Sequence, residues 1–196
     1  AERFGTRFIS KNVTKVDLNT KPFKVWIGEE EYQTKSIIVS TGASAKYLGL
    51  ESEKRLLGRG VSACATCDGF FFKDQTVLVV GGGDTAMEEA MFLTRFASKV
   101  IIIHRRKEFR ASKIMADKAL NNPKIEVMWD STLEEVLGET NVEAAKIKNI
   151  ETGESTEVKC EGVFIAIGHK PNTDVFTDQI KTNDVGYIET EGHSTR

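Results

Sequence analysis

The chain has 196 residues, with 27 Lys and Arg against 29 Asp and Glu and a formal net charge of −2. That balance gives no electrostatic case for a nucleic-acid partner or a polybasic membrane contact, and no apolar run nears the ~18 residues of a membrane span. At about 150 residues per domain the length allows one to two domains, and 40% hydrophobic with 29% charged content belongs to a packed globule. The start, Ala1-Glu2-Arg3-Phe4-Gly5, has no Met and no apolar leader, and the end, Gly192-His193-Ser194-Thr195-Arg196, has no cap, so both termini read as cut from something longer.

The first third reads as β. Val13, Val16 and Leu18 precede a turn at Asn19-Thr20-Lys21-Pro22, and Phe23, Val25 and Ile27 alternate up to Gly28. Tyr32 and Thr34 begin a further short strand. The continuous apolar run over 36–40, closed by Thr41-Gly42, predicts a strand buried on both faces. One βαβ unit follows later. Thr76–Val80 is a β-branched strand, Gly81-Gly82-Gly83 a tight turn, 84–96 a helix with Ala86, Ala90, Leu93 and Ala97 on one face, and Lys99–Ile103 a second parallel strand. A second helix over 111–120 stops before Asn121-Asn122-Pro123, and 125–129 is a third strand. Residues 147–150 and 157–160 flank Thr152-Gly153-Glu154 as a hairpin, and 162–168 repeats the pattern of a buried strand closed by Gly. A meander followed by a buried strand occurs twice, which predicts two related α/β domains.

Gly81-x-Gly83-x-x-Ala86 fits a dinucleotide fingerprint. The first Gly permits the turn, the second admits pyrophosphate to the backbone, and the small third residue lets helix pack on strand. Gly58-x-Gly60-x-x-Ala63 matches too, but it follows no strand and opens no helix, so it is set aside. Where an NAD site needs an acid on the second strand tip, this chain has His104-Arg105-Arg106, with Arg110 four residues on. Guanidinium forks suit a 2′-phosphate, so the pattern points to NADP rather than NAD, against the alternative of a solvated basic face.

Three cysteines, Cys64, Cys67 and Cys160, suit a reducing compartment, the cytoplasm, better than a secreted disulfide scaffold. Cys64-Ala65-Thr66-Cys67 is spaced for a reversible disulfide. Zinc would need further ligands that no second CxxC supplies, so a redox pair is preferred to a metal site or two bland thiols. Cys160 reads as core. Asp68 follows the pair and can carry a proton for it, unless it only caps Gly69. A nicotinamide site beside a dithiol implies a flavin between them, because direct hydride transfer to a disulfide is not usual chemistry.

Four strings occur in order: Cys64-Ala-Thr-Cys67-Asp68-Gly69-Phe-Phe, Gly81-Gly-Gly-Asp84-Thr85-Ala86-Met-Glu88-Glu89-Ala90, His104-Arg105-Arg106-x-x-Phe109-Arg110-Ala111 and Ala166-Ile167-Gly168-His169-x-Pro171-Asn172. Together they resemble the low-molecular-weight NADPH-dependent thioredoxin reductases along essentially the whole chain. The resemblance implies a Rossmann-like NADPH-binding domain inserted into a second, FAD-binding domain of the same type. It implies a flavoenzyme homodimer that moves electrons from NADPH through FAD to the disulfide and on to thioredoxin. Carried over by position, Cys64 and Cys67 are the redox pair and Asp68 the acid/base. Gly81, Gly83, Asp84, Thr85, Ala86 and Glu88 border the dinucleotide. Arg105, Arg106 and Arg110 grip the 2′-phosphate with His104 beside them. Ile167 and Gly168 flank the nicotinamide, and Thr41, Gly42 and Ala43 touch the flavin. The domains expected are 1–48 as part of the FAD domain, 49–168 as the NADPH domain and 169–196 as the returning FAD segment.

Two of the family's features are missing: its N-terminal GxGxxG for FAD and its later Ala-Gly-Asp flavin motif. The FAD site is therefore expected to be incomplete, and the alternative to a reductase is a flavin-free NADP(H)-binding module. The flavoprotein subunit of alkyl hydroperoxide reductase shares a CxxC, but its NADH preference does not call for the basic triplet found here.

Overall fold

A computed structural model describes residues 1–192. It divides into two compact units, residues 45–169 and residues 1–44 with the chain from Lys170 onward. Residues 193–196 of the segment expected over 169–196 lie outside the described residues.

In the smaller unit, β1 (Lys15–Asp17), β2 (Phe23–Ile27) and β3 (Glu30–Thr34) form an antiparallel meander, with Val16 opposite Val25 and Val25 opposite Tyr32. Gln179 fastens its first strand: Oε1 accepts from the Leu18 N–H at 2.7 Å and Nε2 donates to the Val16 carbonyl at 2.9 Å. The strand predicted over 36–40 does not form, and Ile38 is 92% exposed. A strand apolar on both faces gains only when neighbours pair with its edges and cover its faces. Among the described residues none pairs with 36–40. A short strand β4 (Ala43–Ala45) ends this part of the chain.

The larger unit has three layers. At its centre lies a five-stranded parallel sheet in the order β5 (Val61–Ser62), β12 (Gly162–Ile165), β6 (Thr76–Val80), β7 (Lys99–Ile103) and β8 (Ile125–Met128). Leu78 pairs with Ile101 on one side and with Val163 on the other. Alternate residues feed two cores. Val77, Val79, Val100, Ile102 and Phe164 pack against α3 (Asp84–Leu93) and α4 (Lys113–Leu120) through Ala86, Met87, Ala90, Leu93 and Ala119. Leu78, Val80, Ile101, Ile103, Val163 and Ile165 pack on the other face against Leu133, Val136, Ala145 and Ile147. Those last four belong to a second antiparallel meander, β9 (Ser131–Leu137), β10 (Ala144–Asn149) and β11 (Ser155–Lys159). Two covered faces explain why the sheet strands read as unbroken apolar runs. Full burial of each such side chain stabilises the fold by about 1.5–3 kcal/mol.

Both helices are shorter than predicted, for identifiable reasons. After Leu93 the chain tightens, with the Arg95 and Phe96 N–H groups reaching back three residues to Phe92 and Leu93. The Lys124 ammonium then closes that end on the Thr94 and Ala97 carbonyls at 2.8 and 2.9 Å. α4 starts at Lys113 because Ser112 stands before it as N-cap with a non-helical backbone, ψ 145°, just after the Arg110 and Ala111 N–H groups bond the Gly82 carbonyl. The remaining helices, α1 (Glu51–Arg55) and α2 (Ala65–Asp68), are single turns, and β13 (His169–Pro171) leads out of the unit.

Candidate functional site

The βαβ unit places Gly81 at the tip of β6 and Gly83 as N-cap of α3. A Cβ on Gly81 would collide with the Ala166 carbonyl oxygen and the Ala86 methyl, so only glycine lets the loop pass between β12 and α3. A Cβ on Gly83 would meet nothing within 4 Å, so that face is open. Among the described residues the Gly82 and Gly83 N–H groups donate to no protein acceptor. They join the first-turn N–H groups of α3 as a ready anion cradle.

His104 directly follows β7, its ring buried while Arg105, Arg106 and Arg110 are exposed. The ring lies directly under Gly82, where any Cβ would strike it. Nε2 lies 2.9 Å from the Glu108 carbonyl, and Phe109 and Trp129 pack around the ring at 5.5 and 6.0 Å. Burial pushes His104 below the usual imidazole range. Hydrogen bonds to the Glu108 and Gly81 backbone oppose the shift, and Arg106 and Arg105 add to it. His104 thus props the glycine loop and presents the arginines.

A cleft of about 560 Å³ gathers Gly81, Gly83, Thr85, His104, Arg105, Arg106, Arg110, Ile167 and Gly168. Leu48, Ser131, Thr132 and Leu133 complete its wall, none of them signalled by a sequence motif. Three expected residues do not line it. Ala86 is buried beneath the loop, and Glu88 is exposed further along α3. Asp84 turns aside to Ser112, accepting from its N–H at 2.7 Å and its hydroxyl at 2.9 Å, so its carboxylate braces α4. Thr41, Gly42 and Ala43 belong to the other unit. There Asn172 holds them, donating from Nδ2 to the Thr41 carbonyl and from its N–H to the Gly42 carbonyl, each at 3.0 Å.

Cys64 and Cys67 form a disulfide across α2, with Cα atoms 5.3 Å apart. The Cys67 N–H donates to Cys64 Sγ at 3.2 Å. Asp68 ends the helix and accepts a hydrogen bond from Ser62 Oγ at 2.5 Å. Asp68, Ser62 and Phe71 line a second cleft of about 420 Å³ with Gly58, Arg59 and Gly60, separate from the cleft rimmed by the arginines; Cys64 and Cys67 line neither. Phe70 and Phe71, just after the pair, are 69% and 73% exposed. Behind α2, Glu89 of α3 accepts from the Ala65 N–H, and its Oε2 is buried without a partner. Burial raises this carboxyl, with the Ala65 N–H opposing. Cys160 is fully buried, which pushes its thiol up to about 12.

Residues 2–195 match the model of the pyridine nucleotide-disulphide oxidoreductases. The chain belongs to that family. Within it, the chain is 53% identical to a thioredoxin reductase of Rickettsia felis and 48% identical to one of Streptomyces coelicolor, matching along all of its own length in both cases. It spans 64% and 61% of those curated relatives. Among solved structures, the thioredoxin reductase of Streptococcus pyogenes superposes with a TM-score of 0.84 at 41% identity, over 98% of this chain and 63% of that one. The Giardia duodenalis enzyme gives 0.86 at 36% identity, over 98% and 63%. The α/β fold of this chain, with its parallel sheet and antiparallel strands, is shared with these structures.

Sequence reading missed two side chains of this family member. Ser62 sits two residues ahead of Cys64 with no motif to mark it. Glu53 is 1% exposed, and its carboxylate accepts from the Leu48 and Gly49 N–H groups at 2.9 and 2.8 Å, fixing the segment that brings Leu48 to the cleft wall. A glutamate inside a polar helix turn carries no sign of burial.

Proposed function

We propose that this chain carries the NADPH and disulfide sites of a thioredoxin-disulfide reductase, with residues 49–168 as the NADPH domain and 1–48 and 169–196 as parts of an FAD domain. One observation carries the reading: a single compact unit holds both an arginine-rimmed dinucleotide cradle and a CxxC disulfide. The glycine loop and the start of α3 would take the pyrophosphate, Arg105, Arg106 and Arg110 the 2′-phosphate, and Ile167 and Gly168 the nicotinamide end. Bound there, NADPH supplies two electrons as hydride, for relay by FAD to the disulfide. Toward FAD the chain offers Thr41, Gly42 and Ala43; among the described residues of that unit no glycine loop opens a helix.

The chain's own chemistry is thiol–disulfide exchange. One cysteine thiolate attacks the disulfide of thioredoxin, giving a mixed disulfide and a departing partner thiolate. The second cysteine thiolate then closes the Cys64–Cys67 bond and releases the other partner sulfur. Two electrons pass to the partner, and two protons follow from the cysteine pair, with Asp68 as the carrier. The exposed Phe70 and Phe71 give an apolar partner a landing place beside the pair. A homodimer in a reducing cytoplasm completes the proposal, supported by the family and by the sparing use of cysteine.

The test uses the chain alone. Reduced with dithiothreitol, freed of it and mixed with oxidised thioredoxin, it should pass on one disulfide per chain. Cys64→Ser or Cys67→Ser, whichever leaves the attacking sulfur, should trap the mixed disulfide. No transfer, to a thioredoxin that free dithiothreitol does reduce, would overturn the reading.

A further inference from the structure

Ser62 is a buried hydroxyl, 6% exposed, at the end of β5. Its Oγ makes two hydrogen bonds, and together they fix its orientation. It donates to Asp68 Oδ2 at 2.5 Å and accepts from the Cys64 N–H at 3.1 Å. A hydroxyl has one proton, and an ionised carboxylate only accepts, so the proton points at Asp68 and a lone pair at Cys64. One buried oxygen thereby ties the backbone of a disulfide cysteine to the carboxylate that follows the pair.

Nothing else performs this task among the described residues. Asp68 has no ion pair there, and its side chain accepts no second hydrogen bond. It sits at the last position of a four-residue helix, where backbone alone fixes a side chain poorly. β5 is itself anchored at the sheet edge, since Ser62 pairs with the buried Phe164 of β12. The hydroxyl is held by the core and the carboxylate by the hydroxyl.

We propose that Ser62 is a positioning residue for thiol–disulfide exchange at Cys64–Cys67, holding the Asp68 carboxyl beside the pair so that it can carry the proton. The proposal rests on the redox reading of the pair given above. The step it serves can be written for dithiothreitol as reductant. A dithiothreitol thiolate attacks one sulfur of the pair, the Cys64–Cys67 bond breaks, and a mixed disulfide forms as the other cysteine leaves as thiolate. The Asp68 carboxylate takes the proton that the first dithiothreitol thiol sheds on ionising and passes it to that thiolate. The second dithiothreitol thiol gives up its proton by the same route, its sulfur attacks, a cyclic disulfide closes, and the remaining cysteine leaves and takes that proton. Dithiothreitol loses two electrons and two protons, and the pair gains both.

The experiment measures how fast dithiothreitol opens the disulfide in the 196-residue chain, by acid quench and the mass added when free thiols are alkylated. A positioned proton carrier contributes about 10²-fold or more. Asp68→Asn should therefore slow opening about 100-fold and Ser62→Ala about tenfold, while Ser62→Thr, which keeps the hydroxyl, stays within about twofold. The double variant should be no slower than Asp68→Asn alone. Asp68→Glu, which leaves the buried position untouched and moves the carboxyl off the hydroxyl, should also cost about tenfold. Full speed in Asp68→Asn would remove the proton-carrying role of Asp68, and Ser62 with it. A slow Asp68→Asn beside a full-speed Ser62→Ala or Asp68→Glu would overturn the role of Ser62 alone. So would multiplicative losses in the double variant, since a merely structural serine acts without reference to Asp68.

Discussion

Arg105→Ala combined with Arg106→Ala tests the phosphate grip most directly. Both guanidinium groups rim the cleft of about 560 Å³ beside the glycine loop, both are exposed, and neither is committed to an ion pair among the described residues. They can meet a 2′-phosphate without first breaking another contact. A hydrogen bond to a charged group is worth about 1.5–3 kcal/mol, and exposure to water reduces that to about 0.5–1 kcal/mol each. Removing two such contacts should cost about 1–2 kcal/mol, which at 1.4 kcal/mol per decade weakens NADPH about 5- to 30-fold. NADH lacks the phosphate and should change by less than about twofold. Isothermal titration of wild type and double variant with each nucleotide gives all four affinities. The wild-type preference for NADPH should also shrink as salt rises. Equal losses for the two nucleotides would refute the assignment and leave the arginines as a solvated face.

Three further outcomes follow from the packing. Gly81→Ala drives a methyl into the Ala166 carbonyl and the Ala86 side chain; it should cost about 1–3 kcal/mol, lower the thermal midpoint by about 2–4 °C per kcal/mol and abolish NADPH binding in the same titration. Glu89→Gln should raise stability at neutral pH while keeping an acceptor for the Ala65 N–H. The folded carboxyl titrates above its unfolded value, so its burden is absent below the unfolded pKa and grows as pH rises through the folded one. In urea melts the variant's advantage should therefore open above about pH 4.5 and vanish below it. Cys160, fully buried with its thiol raised to about 12, should resist alkylation at pH 8 in the native chain; mass spectrometry should find two labels after reduction and a third only in denaturant.

The βαβ unit was legible because its signals are local. β-branched runs bounded by Gly81-Gly82-Gly83 and by His104 give strand, turn, helix and strand with little dependence on distant residues. The run over 36–40 carried the same signal and misled, because an apolar strand is only as real as the strands beside it. The basic triplet at the tip of β7 and the glycine cradle could be placed by counting from the fingerprint. The separation of Cys64–Cys67 from the dinucleotide cleft could not, since it depends on β5 reaching the parallel sheet only through β12, an element a hundred residues further on. Asp84 illustrates the remaining gap. Its position at the helix start suggested the nucleotide, yet Ser112, distant in sequence, had already claimed its carboxylate.

Gly82 is held from two sides at once, by the His104 ring beneath it and by the Arg110 and Ala111 N–H groups on its carbonyl. The consequence reaches into evolution. A side chain at 82 can be accepted only together with a smaller residue at 104, so the two positions should change as a pair across relatives. The stretch from 104 to 111 should keep its length, because one inserted residue would pull the 110 and 111 amides off the loop. Hairpin tips such as 152–154, which brace nothing, are free to drift.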